Sequence, residues 1–297
     1  MGAVSVLAIY FVWRWIALER GHAPAPGMSD GRAQLAAFLR PAIGFVTNFF
    51  DTLGIGSFAP TTSIYKFMRL VPDENIPGTL NVGHALPTVV QALIYTVIIK
   101  VDPTTLIAMI VAAILGAWLG AGIVARMPRR AIQLGMGIAL IAAAMLFVYK
   151  NLGPAQGEGT ALALHGPTLV IAIAGNFVLG ALMTLGIGLY APCFILVSLL
   201  GMDTRAAFPI MMGSCAFLMP VAGLKFITSR RYDLRAAIGL ALGGIPAVLI
   251  AAFIVRDMNV VTLRWLVVIV VLIAALMMLW SALKAPEPRP VPSAPTP

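Results

Sequence analysis

Long apolar runs separated by short polar loops set the pattern of this chain. Residues 77–99, 103–125, 131–149, 206–228, 235–255 and 261–283 are each apolar for about the 20 residues that a helix needs to cross a hydrocarbon core. None alternates with the period of two that a barrel strand would show, so helices are the predicted spanning elements. Met1 to Leu18 is a further apolar run, carrying Arg14. It lacks a basic leader, and a proline interrupts the small-residue stretch Ala23-Pro24-Ala25, so an uncleaved first helix is predicted. From Ala285 the chain is Pro-rich and predicts a disordered tail.

Two further apolar segments, about 36–70 and 168–202, are interrupted by the same phrase. Thr52-Leu53-Gly54-Ile55-Gly56-Ser57-Phe58-Ala59-Pro60 returns as Thr184-Leu185-Gly186-Ile187-Gly188-Leu189-Tyr190-Ala191-Pro192, seven of nine positions being identical. The offset is 132 residues (184 − 52), and Pro77 and Pro209 keep it. The pattern predicts a duplication: residues 1–33 as an N-terminal transmembrane helix and basic loop, 34–150 as repeat 1, 151–165 as a linker, 166–284 as repeat 2 and 285–297 as the tail. Each repeat reads as one broken segment followed by three uninterrupted helices.

Composition agrees with a polytopic membrane protein. Hydrophobic residues make up 60% of the chain, charged residues 10%, and the mean hydropathy is +0.97; a soluble surface needs about a quarter charged residues. The net charge of +9 sits in short loops, where it reports orientation and not nucleic-acid binding. If the broken segments crossed, the Arg126/Arg129/Arg130 loop would fall on the side opposite Arg20/Arg32/Arg40. If both are re-entrant, these two clusters and Arg230/Arg231/Arg235 share one side, with Lys66 and Arg69. The fold expected is therefore an all-α membrane protein with seven crossings, two broken re-entrant segments and inverted repeats, its C-terminus cytoplasmic. Eight or nine crossings would follow if the broken segments span.

The repeated phrase carries the candidate chemistry. Gly-x-Gly tolerates unusual φ, and Pro60 or Pro192 suits the start of a new half-helix. Backbone N–H groups around Pro60–Ser63 and Pro192–Ile195 would then lack helical partners, and a helix N-terminus carries about half a positive charge, which favours a small anion. Candidate substrate contacts are Gly54, Gly56, Ser57, Pro60, Thr61 and Thr62 in the first copy and Gly186, Gly188, Pro192 and Cys193 in the second. Thr61 and Thr62 can donate to an oxyanion or bond back to their own helix. Cys193 reads equally as a small buried apolar residue.

Polar residues inside apolar runs add Asn48, Asp51, Asn81, His84, Gln91, Asn176, Ser214, Cys215 and Lys225. Asn81 and His84 are spaced to share a helix face, and Ser214 takes the corresponding stretch of repeat 2. His84 and Asp51 are candidates for proton or ion coupling; His84 reads otherwise as an interhelical hydrogen-bond donor and Asp51 as an ion-pair partner. Gly116-x-x-x-Gly120 reads as a helix-packing face. Two cysteines and three histidines show no metal-ligand spacing, so no metal, cofactor or enzymatic centre is expected.

Leu53-Gly54-Ile55-Gly56 with Ala59-Pro60, Leu185-Gly186-Ile187-Gly188 with Ala191-Pro192, and the helix Gly116 to Arg126 together resemble the sulfite exporter TauE/SafE family, over about residues 36–283. Ser57-Phe58 and Leu189-Tyr190 depart from its commoner glycine-rich form. The resemblance implies a permease moving sulfite, sulfoacetate or a related organosulfonate across the bacterial inner membrane, by export. An anion channel and a non-transporting membrane scaffold are the alternative readings. The expected partners are a small anionic substrate and the lipid bilayer, without nucleic acid, homodimerisation being left open.

Overall fold

The computed structural model describes residues 1–20, 30–124, 129–152, 161–183 and 188–284. Thr184, Leu185, Gly186, Ile187, Arg126, most of the linker, Ala23-Pro24-Ala25 and the Pro-rich tail lie outside these residues. Repeat 1 is preceded by α1 (Gly2–Glu19) and contains α2 (Asp30–Thr52), α3 (Phe58–Met68), α4 (Ile76–Gly83), α5 (Ala85–Ile98), α6 (Pro103–Val124) and α7 (Arg129–Leu152). Repeat 2 contains α8 (Gly166–Met183), α9 (Tyr190–Leu199), α10 (Ala207–Thr228), α11 (Leu234–Asp257) and α12 (Val260–Lys284). Among the described residues there is no strand. Among the described residues six helical stretches are long and apolar enough to cross a membrane, Gly166–Met183 being one of them.

Element boundaries repeat as the phrase does. The starts of α3 and α9 differ by 132 residues (190 − 58), those of α6 and α11 by 131 (234 − 103), and the ends of α7 and α12 by 132 (284 − 152). The packing is exchange-symmetric: α2 rests on α11, α8 on α6, α7 on α12 and α5 on α10. Swapping the two repeats leaves this set of pairs unchanged, as a two-fold relationship requires.

Small residues bring the backbones together, as expected where apolar helices gain nothing from leaving lipid. A Cβ at Gly44 would lie 2.7 Å from the Leu240 Cα, and one at Gly243 would strike the Pro41 carbonyl. Likewise Gly116 admits the Phe177 carbonyl and Gly180 that of Ala113. Arg40 faces Gly239 and Asn48 faces Gly244, so α2 and α11 run in the same direction. The contacts of α8 with α6 advance together in the same way.

Loop contacts fix the two ends. At one end, Arg230 pairs with Glu19 at 2.6 Å, Trp15 donates to the Tyr232 hydroxyl at 3.0 Å, and the Asp233 N–H donates to the Thr79 hydroxyl at 2.9 Å. This end therefore gathers the close of α1 and α10 and the start of α4 and α11. Arg20, Arg231, Arg235, Lys66 and Arg69 lie in the same loops. At the other end, the Asp102 N–H donates to the Leu162 carbonyl at 2.8 Å, Ala161 bridges Met202, and Arg205 donates to the Met258 carbonyl at 3.1 Å. Here α6, α8, α10 and α12 begin. Thus α2 starts and α3 ends at the basic end, while α8 starts and α9 ends at the opposite end.

Two details correct the sequence reading. The first uninterrupted helix expected in repeat 1 runs over Ile76–Ile98 with one irregular residue, His84, between α4 and α5. Pro87 has no N–H to offer the Gly83 carbonyl, so one rung of the helix is missing there. The half-helices also begin at Phe58 and Tyr190, two residues before their prolines, which take the third helical position. The N–H of Thr61 is accordingly bonded to the Ser57 carbonyl at 3.1 Å and that of Cys193 to the Leu189 carbonyl at 3.0 Å, so neither is free as expected.

Candidate functional site

The first break closes α2 with two local bonds. Ile55 N–H reaches back to the Phe50 carbonyl at 3.1 Å and Gly54 N–H to that of Asp51 at 2.8 Å. This is the helix-ending geometry that calls for a left-handed residue. Gly54 (φ +97°) and Gly56 (φ +89°) supply it. The last carbonyl of α2, on Thr52, accepts from the Tyr95 hydroxyl at 3.1 Å.

Asp51 stands at the centre. It is 2% exposed, and no lysine or arginine among the described residues lies within ion-pair distance. Its carboxylate instead accepts from Gln91 Nε2 at 2.9 Å and from the Tyr190 hydroxyl at 3.4 Å, with Ser57 close by. Ser57 is the N-cap of α3. The positive end of that half-helix therefore faces an acid belonging to the protein itself.

His84 forms the other half of the network. Placed at the α4–α5 junction and fully buried, it bonds Asn48 Oδ1 through Nδ1 at 3.1 Å and the Thr61 hydroxyl through Nε2 at 3.2 Å. Thr61 in turn donates to the Ser57 carbonyl at 2.7 Å. Asn48, His84, Thr61, Ser57, Asp51, Gln91 and Tyr190 are thus continuous in space. Gln91 also donates to the Thr52 hydroxyl at 2.9 Å.

The two breaks meet here. Phe194 of α9 covers Gly54 so closely that a Cβ there would strike its ring, while the Tyr190 hydroxyl reaches Asp51. Phe194 is held edge-on by Phe208 at 4.9 Å, and Phe208 stacks on Tyr95 at 4.9 Å. Around Gly56 and Gly188 a Cβ would meet nothing within 4 Å.

The other expected contacts are distributed unevenly. Pro60, Thr62 and Pro192 are partly exposed in the first turns of α3 and α9, and Cys193 is a buried free cysteine. Asn81 donates to the Pro77 carbonyl of its own helix at 2.9 Å and does not bond His84. Ser214 belongs to a separate cluster, where Asn176 donates to its hydroxyl at 3.2 Å and to the Met109 carbonyl at 2.7 Å. Gly186 lies outside the described residues.

The network draws mainly on one copy of the phrase and its neighbouring helices. At the offset of 132, Asn48, Thr61, His84 and Gln91 correspond to Gly180, Cys193, Ala216 and Gly223, and Asp51 to Met183. Gly180 and Gly223 serve packing, admitting Ala113 and Phe11. Tyr190 is the single polar contribution of repeat 2 to the network, at the position where repeat 1 has Phe58. Gln91 was singled out from sequence only as a polar residue in an apolar run, and Tyr95 and Tyr190 were not among the site residues expected. The Phe58-to-Tyr190 change, a hydroxyl added inside an otherwise matching phrase, was the available signal.

The family model described as sulfite exporter TauE/SafE matches residues 1–147. Over that half, the chain belongs to the TauE/SafE family. The match begins at residue 1, so α1 falls inside it, although the resemblance read from sequence began near residue 36. Its packing explains the inclusion: Phe11 and Trp15 of α1 are buried, Phe11 lying against Gly223. Every side chain of the Asp51 network except Tyr190 lies within the TauE/SafE match. No curated protein and no solved structure matches the chain. TauE/SafE membership makes this a multi-pass membrane protein of a permease family for sulfur-containing anions.

Proposed function

We propose that the protein is a secondary transporter that exports a small sulfur-containing oxyanion or organosulfonate, such as sulfite or sulfoacetate, across the bacterial inner membrane, with the basic end cytoplasmic. The meeting of the two breaks carries this reading: Tyr190 on Asp51 and Phe194 on Gly54 join segments that enter from opposite ends. In inverted-repeat transporters such discontinuous helices bind substrate near the midplane, and access alternates between the two sides. The anion would sit beside Gly56 and Gly188, within reach of Ser57 and Tyr190.

Asp51 decides what else must bind. An ionised carboxylate so close would repel an anion, whereas a protonated one would donate a hydrogen bond to it. Anion and proton therefore favour each other's binding, and that coupling is reciprocal. Sulfite flux into proteoliposomes, with and without an imposed pH gradient, tests both steps. Saturable flux is expected; absence of flux above empty vesicles for every sulfur oxyanion would sink the transporter reading. Unsaturated flux with single-channel currents would favour a channel instead.

A further inference from the structure

Two buried polar groups between the first break and the basic end have no hydrogen-bond partner among the described residues. Arg40 is 8% exposed and its Nε is unpartnered; Tyr65 is 0% exposed and so is its hydroxyl. Tyr65 lies within electrostatic reach of both Arg40 and Asp233. No carboxylate among the described residues is within 4.0 Å of the Arg40 guanidinium. Asp233 is committed elsewhere, its Oδ1 accepting the Ala236 N–H at 2.7 Å to cap α11.

Placement adds to the chemistry. Arg40, Gly44 and Asn48 follow one another at four-residue spacing along α2, and Tyr65, Thr61 and Ser57 do so along α3. Side chains at that spacing share a helix face. Both stripes lead from the basic end to Asp51. The stem of Arg40 is pressed against α11, since a Cβ at Gly239 would lie 2.5 Å from its own Cβ.

Arginine does not lose its charge in a protein, and a buried charge without a counterion is strongly unfavourable. Its planar fork presents parallel N–H donors that match two oxygens of a sulfonate or phosphate group. We propose that Arg40 and Tyr65 form a second oxyanion-binding site, at the basic end of the first broken segment. The guanidinium takes two oxygens and the Tyr65 hydroxyl donates to a third. The group bound is either a free oxyanion or the headgroup of an anionic lipid. The role as a waiting position for substrate rests on the transport reading above; the binding itself does not.

Thermal unfolding of the purified full chain in neutral detergent, titrated with sulfite and separately with inorganic phosphate, tests the site. The same titration in nanodiscs with and without phosphatidylglycerol identifies the source of the oxyanion. Stabilisation is expected in the wild type, with the half-maximal concentration raised at least tenfold in Arg40→Gln and several-fold in Tyr65→Phe. Arg40→Lys, which keeps the charge and loses the fork, should fall between, and carries the test with Tyr65→Phe if Arg40→Gln does not fold. Arg40-dependent stabilisation by phosphatidylglycerol alone supports the site and assigns it to lipid. Equal stabilisation of wild type and all three variants by every probe overturns it. Sulfite flux with Arg40-independent stabilisation refutes this site only; Arg40-dependent stabilisation without flux refutes the transport reading only.

Discussion

Tyr190 reaches across 139 residues of sequence to place its hydroxyl 3.4 Å from a carboxylate oxygen of Asp51. Gln91 Oε1, at 3.3 Å, is the alternative acceptor for the same proton. This hydroxyl ties the polar network of repeat 1 to the broken segment of repeat 2. Tyr190→Phe removes it and little else. A hydrogen bond to a charged group is worth about 1.5–3 kcal/mol, so sulfite flux should fall by about tenfold or more. Steady-state flux in proteoliposomes, normalised to folded protein by size-exclusion chromatography, measures it.

Asp51→Asn preserves shape and the Gln91 neighbourhood while removing the titrating proton. Flux should survive at a reduced level and lose its response to an imposed pH gradient. A variant as sensitive to the gradient as the wild type would move the coupling proton elsewhere. Parallel flux curves at several external pH values give the answer.

The two glycines of the first break should respond differently to alanine. Both hold positive φ, which costs a side-chain-bearing residue about 1–2 kcal/mol. At Gly56 that strain is the whole penalty, because a Cβ would meet open space. At Gly54 the Cβ also drives into Phe194, so Gly54→Ala should unfold at the lower temperature of the two and uncouple the breaks. Thermal unfolding in detergent ranks them.

His84→Ala deletes both bonds of the imidazole, leaving Asn48 and Thr61 facing a buried gap. The expected loss of stability is about 2–5 kcal/mol, the sum of lost hydrogen bonds and a cavity. Chemical denaturation in detergent checks the magnitude.

Outside the membrane, Asp102 caps α6 by accepting the Thr105 N–H at 2.8 Å. That bond holds its carboxyl below the ordinary value of 3.8. Its contribution is therefore present above the ordinary value and is lost as pH falls through the lowered one. Hydrogen exchange at the start of α6 should accelerate on acidification, and Asp102→Ala should abolish that acid sensitivity.

How far the sequence led depends on whether the cause was local. The breaks were legible because Gly54, Gly56 and Pro60 act on their own backbone, and the grouping of Arg20, Arg230 and Arg231 followed from charge in short loops. The irregularity at His84 was also local, written in Pro87. Gln91 and Tyr190 were harder, since each finds Asp51 through packing of helices far apart in the chain. The spacing of Asn81 and His84 misled for a related reason: Asn81 is satisfied by the Pro77 carbonyl one turn earlier, while His84 finds Asn48 and Thr61 on other helices.

The arms are exchanged, with α2 lying on α11 and α8 on α6, through glycines that let backbone touch backbone. A single half expressed alone would lack the groove that receives its own arm. The halves are complementary, each supplying the groove that receives the other's arm. The acid, the imidazole and the amides lie on one half, and Gly180 and Gly223 at the matching positions of the other serve packing.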